Sequence, residues 1–395
     1  MVGSAHPTTT NLGIFEMKIF LLKEVCNITM GQAPPGDSYN YDKMGIPLLA
    51  GAGDFGNINP EPKKYTSLPG KICKVGDLIL CIRATIGDRN WADKEYCLGR
   101  GVAGLRAKEE LLDQSYLWHW LEVGKEQLLK QARGSTFKQV SQDAIASCEI
   151  PVPPIEEQRR IAAILDQADA VRRKRQEAIR LTEELLRATF LDMFGDPVTN
   201  PKGWETTQLE NLCKRVTDGT HQSPNWTDQG IPFLFISNIV NGELDFNVSK
   251  YISEKLWKEL TNRCPIEVND ILYTTVGSYG NAALVRTNKP FCFQRHIAHI
   301  KPDCEKIHPE FLLGMMQSDA VKRQADIQVR GIAQKTLNLR ELKKFNLIVP
   351  SKIKQEKYVE FRREFEKYRN SNLNFFKISE NLFNSLLQRA FRGEL

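Results

Sequence analysis

Apolar positions along this chain fall into two textures, and the pair of textures occurs twice. From Lys18 to Pro153 short apolar runs of strand length are broken by Gly, Pro and Asn: Gly45-Ile46-Pro47-Leu48-Leu49, Asp77-Leu78-Ile79-Leu80-Cys81-Ile82 and Val102-Ala103-Gly104-Leu105-Arg106. One helical patch lies near Gln114 to Gln131, so the stretch predicts an α+β module. Next, Pro153-Pro154 opens a segment with Glu156 and Glu157 in its first turn, where the helix dipole favours acids, and no breaker follows until Gly195 and Pro197. This predicts a helix of about 40 residues and about 60 Å. Its apolar positions, Ile161, Ile164, Ala168, Val171, Ala178, Leu185 and Met193, keep three- and four-residue spacing and call for a partner helix. Ile353 to Ala390 supplies one, with Val359, Phe365, Leu382, Phe383, Leu386 and Leu387 on the same kind of face. Two such helices pack most simply antiparallel as a coiled coil with one globular module near each end, a dumbbell on a rigid shaft.

The two halves repeat in detail. Val75-Gly76-Asp77-Leu78-Ile79-Leu80 returns as Val268-Asn269-Asp270-Ile271-Leu272-Tyr273, and Gly87 as Gly280. Cys97-Leu98-Gly99-Arg100 answers Cys292-Phe293-Gln294-Arg295, Ile150-Pro151-Val152-Pro153 answers Leu347-Ile348-Val349-Pro350, and Phe194 answers Phe391. A duplicated chain is a pseudo-dimer and suits a target or partner with two halves. The expected fold class is therefore α+β, with two pseudo-symmetric α/β modules separated by two long antiparallel helices forming a coiled coil. The boundaries follow: an extension at 1–17, modules at 18–153 and 204–350, helices at 154–196 and 351–395, and a linker at 197–203. The linker region Asp196-Pro197-Val198-Thr199-Asn200-Pro201-Lys202-Gly203 is a run of turn formers too short for a flexible tether.

Composition narrows the classes of function. With 395 residues, 41% hydrophobic and 26% charged, the chain is an ordinary globular protein, and its net charge of +6 permits an anionic partner without requiring one. The opening residues lack a basic, apolar leader, and no apolar run approaches the roughly 20 residues of a membrane span, so a cytoplasmic protein with no membrane role is expected. Nine cysteines with no C-x-x-C pair suit a reducing compartment and free thiols. Cys292, His296, His299, Cys304 and His308 cluster in sequence, yet Cys97, the repeat partner of Cys292, has no histidines beside it, so no metal site is expected. Gly51-x-Gly53-x-x-Gly56 is followed by Asn57-Ile58-Asn59-Pro60-Glu61-Pro62, which cannot form the helix a dinucleotide loop needs. A P-loop, H-E-x-x-H and G-x-S-x-G are all absent, and Pro153-Pro154 lacks the preceding Asn or Asp of an amino-methyltransferase loop. No catalytic residue and no cofactor of its own is expected.

The polar chemistry that does repeat is the loop Arg133-Gly134-Ser135-Thr136-Phe137-Lys138-Gln139 and its counterpart Arg330-Gly331-Ile332-Ala333-Gln334-Lys335. A glycine lets backbone approach a ligand, and flanking cations with backbone N–H groups take phosphate oxygens. The plain alternative is a β-turn with two solvated cations, and the repetition favours the loop reading. Arg83, Arg100 and Arg106 in the first half, and His221, Gln222, Arg286, Arg295 and His296 in the second, are types that read base edges or grip phosphate. Each alone could equally be a surface salt-bridge partner. The belt Arg172-Arg173-Lys174-Arg175 reads first as a solvated helix face and second as a docking site for protein or DNA.

Further residues carry a family resemblance. Met30-Gly31-Gln32-Ala33-Pro34-Pro35 with Ser38-Tyr39-Asn40 opens the first half, and Thr217-Asp218-Gly219-Thr220-His221-Gln222-Ser223-Pro224 the second. With Gly76-Asp77-Leu78-Ile79, Ala84-Thr85-Ile86-Gly87, the Arg-Gly-x-x-x-Lys loops and Ile150-Pro151-Val152-Pro153-Pro154-Ile155-Glu156-Glu157-Gln158, the chain resembles a specificity subunit of a type I restriction-modification system. The second half departs at Pro350-Ser351-Lys352-Ile353-Lys354-Gln355, where the second proline and the acidic pair are missing. The resemblance implies a non-catalytic subunit with two target-recognition domains, each reading half of a split double-stranded DNA site, and a coiled coil that sets the gap. It also implies two methyltransferase subunits that bind S-adenosylmethionine, and two restriction-translocase subunits that use ATP and Mg. The other readings are a coiled-coil scaffold with no DNA role and the recognition part of a fused restriction-methylation enzyme. The loops of the two halves differ, Arg83 against Val276 for example, so an asymmetric site with half-site centres about 34 Å apart is expected.

Overall fold

The computed structural model describes residues 17–134, 138–221, 223–240, 242–331 and 335–395. The chain divides into two compact units, one running to Gln176 and including Asn374–Leu395, the other Glu177–Leu373. In the first unit Cys26–Met30, Val102–Ala107, Leu78–Cys81 and Arg89–Trp91 form an antiparallel four-stranded sheet in that spatial order. The strand Leu78–Cys81 explains why its run is apolar without alternation. Successive side chains leave opposite faces of a strand. Leu78 and Leu80 enter a core shared with Tyr116, Leu117 and Trp120 of the helix Gln114–Gln131. Ile79 enters a second core with Leu49, Tyr96, Leu98 and Val102. That second core lies under another sheet, in which Ile46–Leu49 runs parallel to Tyr96–Leu98.

The second unit repeats the plan. Cys213–Asp218, Ile297–Pro302, Ile271–Thr274 and Ala282–Leu284 make the four-stranded sheet. Ile271 and Tyr273 face one core and Leu272 the other, and Ile231–Leu234 runs parallel to Cys292–Phe293. Its smaller sheet has three strands, and the helix Glu254–Thr261 packs Leu256, Trp257 and Leu260 against it. At the crossing between sheets the backbones come so close that a Cβ on Gly31 would lie 2.1 Å from the Gly99 carbonyl oxygen, and one on Gly219 2.3 Å from that of Phe293. Only glycine fits either place.

The long helices are Ile155–Phe194 and Lys352–Arg392. Within the first unit Ile161, Ala162 and Leu165, from the start of the first helix, share a core with Phe383, Leu387 and Ala390, from the end of the second. Within the second unit Phe190 and Phe194, from the end of the first helix, lie 5.4 and 5.7 Å from Tyr358, near the start of the second. Both pairings are antiparallel, which is the coiled-coil arrangement the periodicity predicts. The buried face is not the one predicted throughout: Val171, Leu185 and Leu382 are about half exposed. Leu165, Phe190 and Phe194 are buried in place of Val171 and Leu185, because each helix end packs on its module as well as on the other helix. The basic belt is also corrected. Arg172 and Arg173 neutralise buried Asp169 at 2.6 and 2.7 Å, while the Arg172 and Arg175 guanidinium groups sit 4.8 and 5.0 Å over Phe383 and Phe375. Part of the belt therefore serves packing.

The altered start of the second helix keeps its anchor. Gln158 Oε1 accepts from the Asp113 N–H at 2.8 Å, and its Nε2 donates to the carbonyls of Leu111 and Pro153. Gln355 likewise accepts from the His308 N–H at 2.9 Å and donates to the Pro350 carbonyl. Both side chains are buried and each ties a helix start to the start of the module's main helix. Leucine at either position leaves buried backbone groups without partners, at a cost of about 1–3 kcal/mol. A urea titration of Gln158→Leu or Gln355→Leu will show a lowered midpoint.

Candidate nucleic-acid interface

The two Arg-Gly loops are closed in the same way. Arg133 and Gln139 exchange backbone hydrogen bonds of 3.0 and 2.8 Å, and Arg330 and Thr336 exchange bonds of the same two lengths. The glycines after the arginines have φ of 121° and 101°, a conformation that L side chains rarely adopt. Each loop then docks on the end of the central strand: the Val140 N–H donates to the Ile82 carbonyl at 3.0 Å, and the Leu337 N–H to that of Thr275 at 2.8 Å. Arg133, Lys138, Arg330 and Lys335 are all exposed.

In the first unit the docked loop meets Arg83, whose Nε and Nη2 donate to Gln139 Oε1 at 2.9 and 2.6 Å. This pair fixes the guanidinium at one wall of an open concavity of about 570 Å³. Arg100 and Lys64 also line it, and Gly51, Gly53, Gly99 and Gly101 leave its backbone accessible. The glycine run that fails as a dinucleotide loop thus has a place in the candidate surface. Lys64 was not legible as a candidate, since nothing in its local sequence marks it and only the pairing of Lys64–Thr66 with Ile46–Leu49 brings it there.

In the second unit the same turn carries different groups. The Thr275 N–H donates to the His296 carbonyl at 2.9 Å, as the Ile82 N–H does to Gly101 at 2.9 Å, so Arg295 and Arg100 occupy matching positions. Arg295 is exposed and its Nε donates to His296 Nε2 at 3.3 Å. Burial and the adjacent guanidinium push His296 below the usual imidazole range, which suits an accepting, neutral ring. The Arg295 N–H donates to the Thr220 carbonyl, and the neighbouring His221 is exposed with Nε2 2.9 Å from Asp218 Oδ2. Val276, buried, stands where the first unit has Arg83.

Two candidates join neither group. Arg106 Nε donates to Asp77 Oδ1 at 2.5 Å and its Nη2 to the Val75 carbonyl, while its repeat partner Lys301 holds Asp270 at 2.8 Å. A cation on this buried acid is part of the duplicated fold. Arg286 Nη2 donates to Glu366 Oε2 at 2.6 Å, which fastens the module to the second long helix within its own unit. Ser135, Gln222 and Gln334 lie outside the described residues. The histidine and cysteine cluster is dispersed: His308 caps the helix Pro309–Met316 and His299 pairs with Asp270 and Cys264. Among the described residues no group of three or more such side chains is placed to hold a metal, and no helix is long and apolar enough to cross a membrane.

Residues 15–182 and 201–378 each match the family model described as type I restriction modification DNA specificity domain. The specificity subunit of the type I restriction enzyme EcoBI from Escherichia coli is 26% identical over 413 aligned positions, spanning 95% of this chain and 85% of that protein. The MjaX specificity subunit of Methanocaldococcus jannaschii is 35% identical over 199 positions, 45% of this chain and 47% of that protein, about half the length of each. The S subunit of a type I restriction-modification system from M. genitalium superimposes with a TM-score of 0.56 at 15% identity, covering 98% of both chains. A chain from another type I R-M structure gives 0.50 at 19% identity, covering 98% of this chain and 100% of its own. These structural likenesses speak for the fold.

The structural and the surface arginines are separable by measurement. Arg106→Ala strands buried Asp77 and lowers stability by about 1–3 kcal/mol, read as a lowered urea midpoint. Arg100→Ala leaves that midpoint unchanged.

Proposed function

The chain belongs to the type I restriction-modification DNA specificity family, and from that premise we propose that it is the DNA-reading, non-catalytic subunit of such a system. The module near residues 18–153 reads one half of an asymmetric bipartite site and the module near 204–350 the other, with the paired helices setting an unread gap. Arg133, Lys138, Arg330 and Lys335 grip phosphates. Arg83, Arg100, Gln139 and Lys64 in one module, and His221, Arg295 and His296 in the other, face the bases or the adjoining backbone. Two methyltransferase subunits dock on the pseudo-equivalent surfaces and bring S-adenosylmethionine, and two restriction-translocase subunits bring ATP and Mg chemistry.

One observation carries this reading. The loop that presents the two cations is closed by matching backbone hydrogen bonds and docked on the same strand end in both units, while the side chains around it differ. A common backbone grip with divergent neighbours is what two half-sites of different sequence require. A scaffold without a DNA role has no need of a duplicated, exposed cationic loop.

Three measurements test it. Mapping methylated bases in cells that carry this chain with a methyltransferase partner should return two short motifs separated by a gap of constant length. Exchanging residues 204–350 for another family member's second module should change one motif and keep the other, and a single continuous motif would refute the reading. In DNA-binding titrations against salt, alanine at Arg133, Lys138, Arg330 or Lys335 should weaken binding to all sequences alike and reduce the salt slope by about one unit. Native mass spectrometry at saturating methyltransferase should show two copies per chain.

A further inference from the structure

The second unit holds a thiol, an imidazole and a carboxylate in line. Cys264 Sγ lies 3.4 Å from His299 Nδ1, and His299 Nε2 lies 2.6 Å from Asp270 Oδ2. His299 and Asp270 are buried, at 1% and 3% exposure, whereas Cys264 is partly exposed on the connection between Glu254–Thr261 and Ile271–Thr274. Asp270 Oδ2 also takes the Lys301 ammonium at 2.8 Å and the Glu267 N–H at 2.8 Å. A carboxylate so held accepts the Nε2 proton, which leaves Nδ1 free to accept from the thiol.

The first unit has no histidine at the matching place. Leu272 pairs with His299 where Ile79 of the first unit pairs with Gly104, and there Asp77 is satisfied by Arg106 and the backbone of Lys74. The groups facing Cys264 from the strands around it are His299 and Lys301 on one and Arg215 on another, all cationic or able to become so. Burial opposes ionisation of the thiol, but its hydrogen bond with His299 and these charges outweigh that and hold it below its usual range, while the hydrogen bonds to Asp270 and Cys264 outweigh burial and hold His299 above its own. Most other cysteines sit in apolar surroundings, and burial pushes Cys26, Cys73, Cys148 and Cys292 up.

We propose that Cys264 is an activated thiol, a modification site for small electrophiles of the hydroperoxide class, with His299 as its base and Asp270 orienting that base. His299 Nδ1 takes the thiol proton and Sγ attacks one peroxide oxygen. The S–O bond forms and the O–O bond breaks. The departing oxygen leaves as water or alcohol with the proton from His299, so sulfur is oxidised to a sulfenic acid and the peroxide is reduced. The proposal is independent of DNA reading.

The test uses the full chain and limiting iodoacetamide, with each cysteine followed by peptide mass spectrometry between pH 5.5 and 8.5. Cys264 should be alkylated about ten-fold faster than exposed Cys304 at pH 6.5, and its rate should persist to lower pH. His299→Gln, if folded by circular dichroism, should bring Cys264 to the rate of Cys304, and Cys264→Ser should remove the fast label. Where His299→Gln does not fold, the pH profile of the unaltered chain decides. After a hydroperoxide pulse, dimedone should tag Cys264 before Cys304. The proposal is overturned if Cys264 reacts no faster than Cys304, follows the pH profile of an ordinary thiol, keeps its fast rate in folded His299→Gln, or is tagged after Cys304.

Discussion

Each unit is organised by a central strand that must be covered on both faces. Leu78, Ile79 and Leu80 in one unit, and Ile271, Leu272 and Tyr273 in the other, are wholly buried and point alternately into two cores. A strand of this kind demands a helix on one side and a second sheet on the other. The second sheet must then pass close to the first, and the contacts of Gly31 and Gly219 mark where it does. The candidate surface follows from the same constraint, because the end of the buried strand delivers Arg83 or Val276 and supplies the carbonyl on which the Arg-Gly loop docks.

Conserving this frame leaves the side chains around it free to differ between the two copies. The buried acid at the foot of the strand keeps a cation in both, Arg106 on Asp77 and Lys301 on Asp270. At the other end the two units differ: one has Arg83 braced by Gln139 where the other has buried Val276, and Arg295, the counterpart of Arg100, lies beside His296. Loops diverge over a duplicated core because surface segments carry fewer packing constraints than the strands beneath them.

The same division separates charges that stabilise from charges that face outward. Arg106, Arg286 and part of the helical belt are the same residue type as Arg100 and Arg133, and composition cannot tell them apart. The carboxylates of Asp77, Glu366 and Asp169 do so: each is buried or nearly so and requires a partner, and whichever cation reaches it is tied to it even where the rest of that side chain stays exposed.

The duplication, the long helices and the helix over Gln114–Gln131 were legible in the sequence, because repeated local patterns and uninterrupted helical periodicity are properties of neighbouring residues. So was the Arg-Gly-x-x-x-Lys loop, whose closure is local in both units. The exposure of Val171, Leu185 and Leu382 was not, since the buried side of a helix is chosen by what packs against it. Nor was the entry of Lys64 beside Arg83, the tying of Arg106 and Arg286 to carboxylates, or the alignment of Cys264, His299 and Asp270. Those depend on strand pairings and packing between segments far apart in the chain, which only the tertiary structure decides.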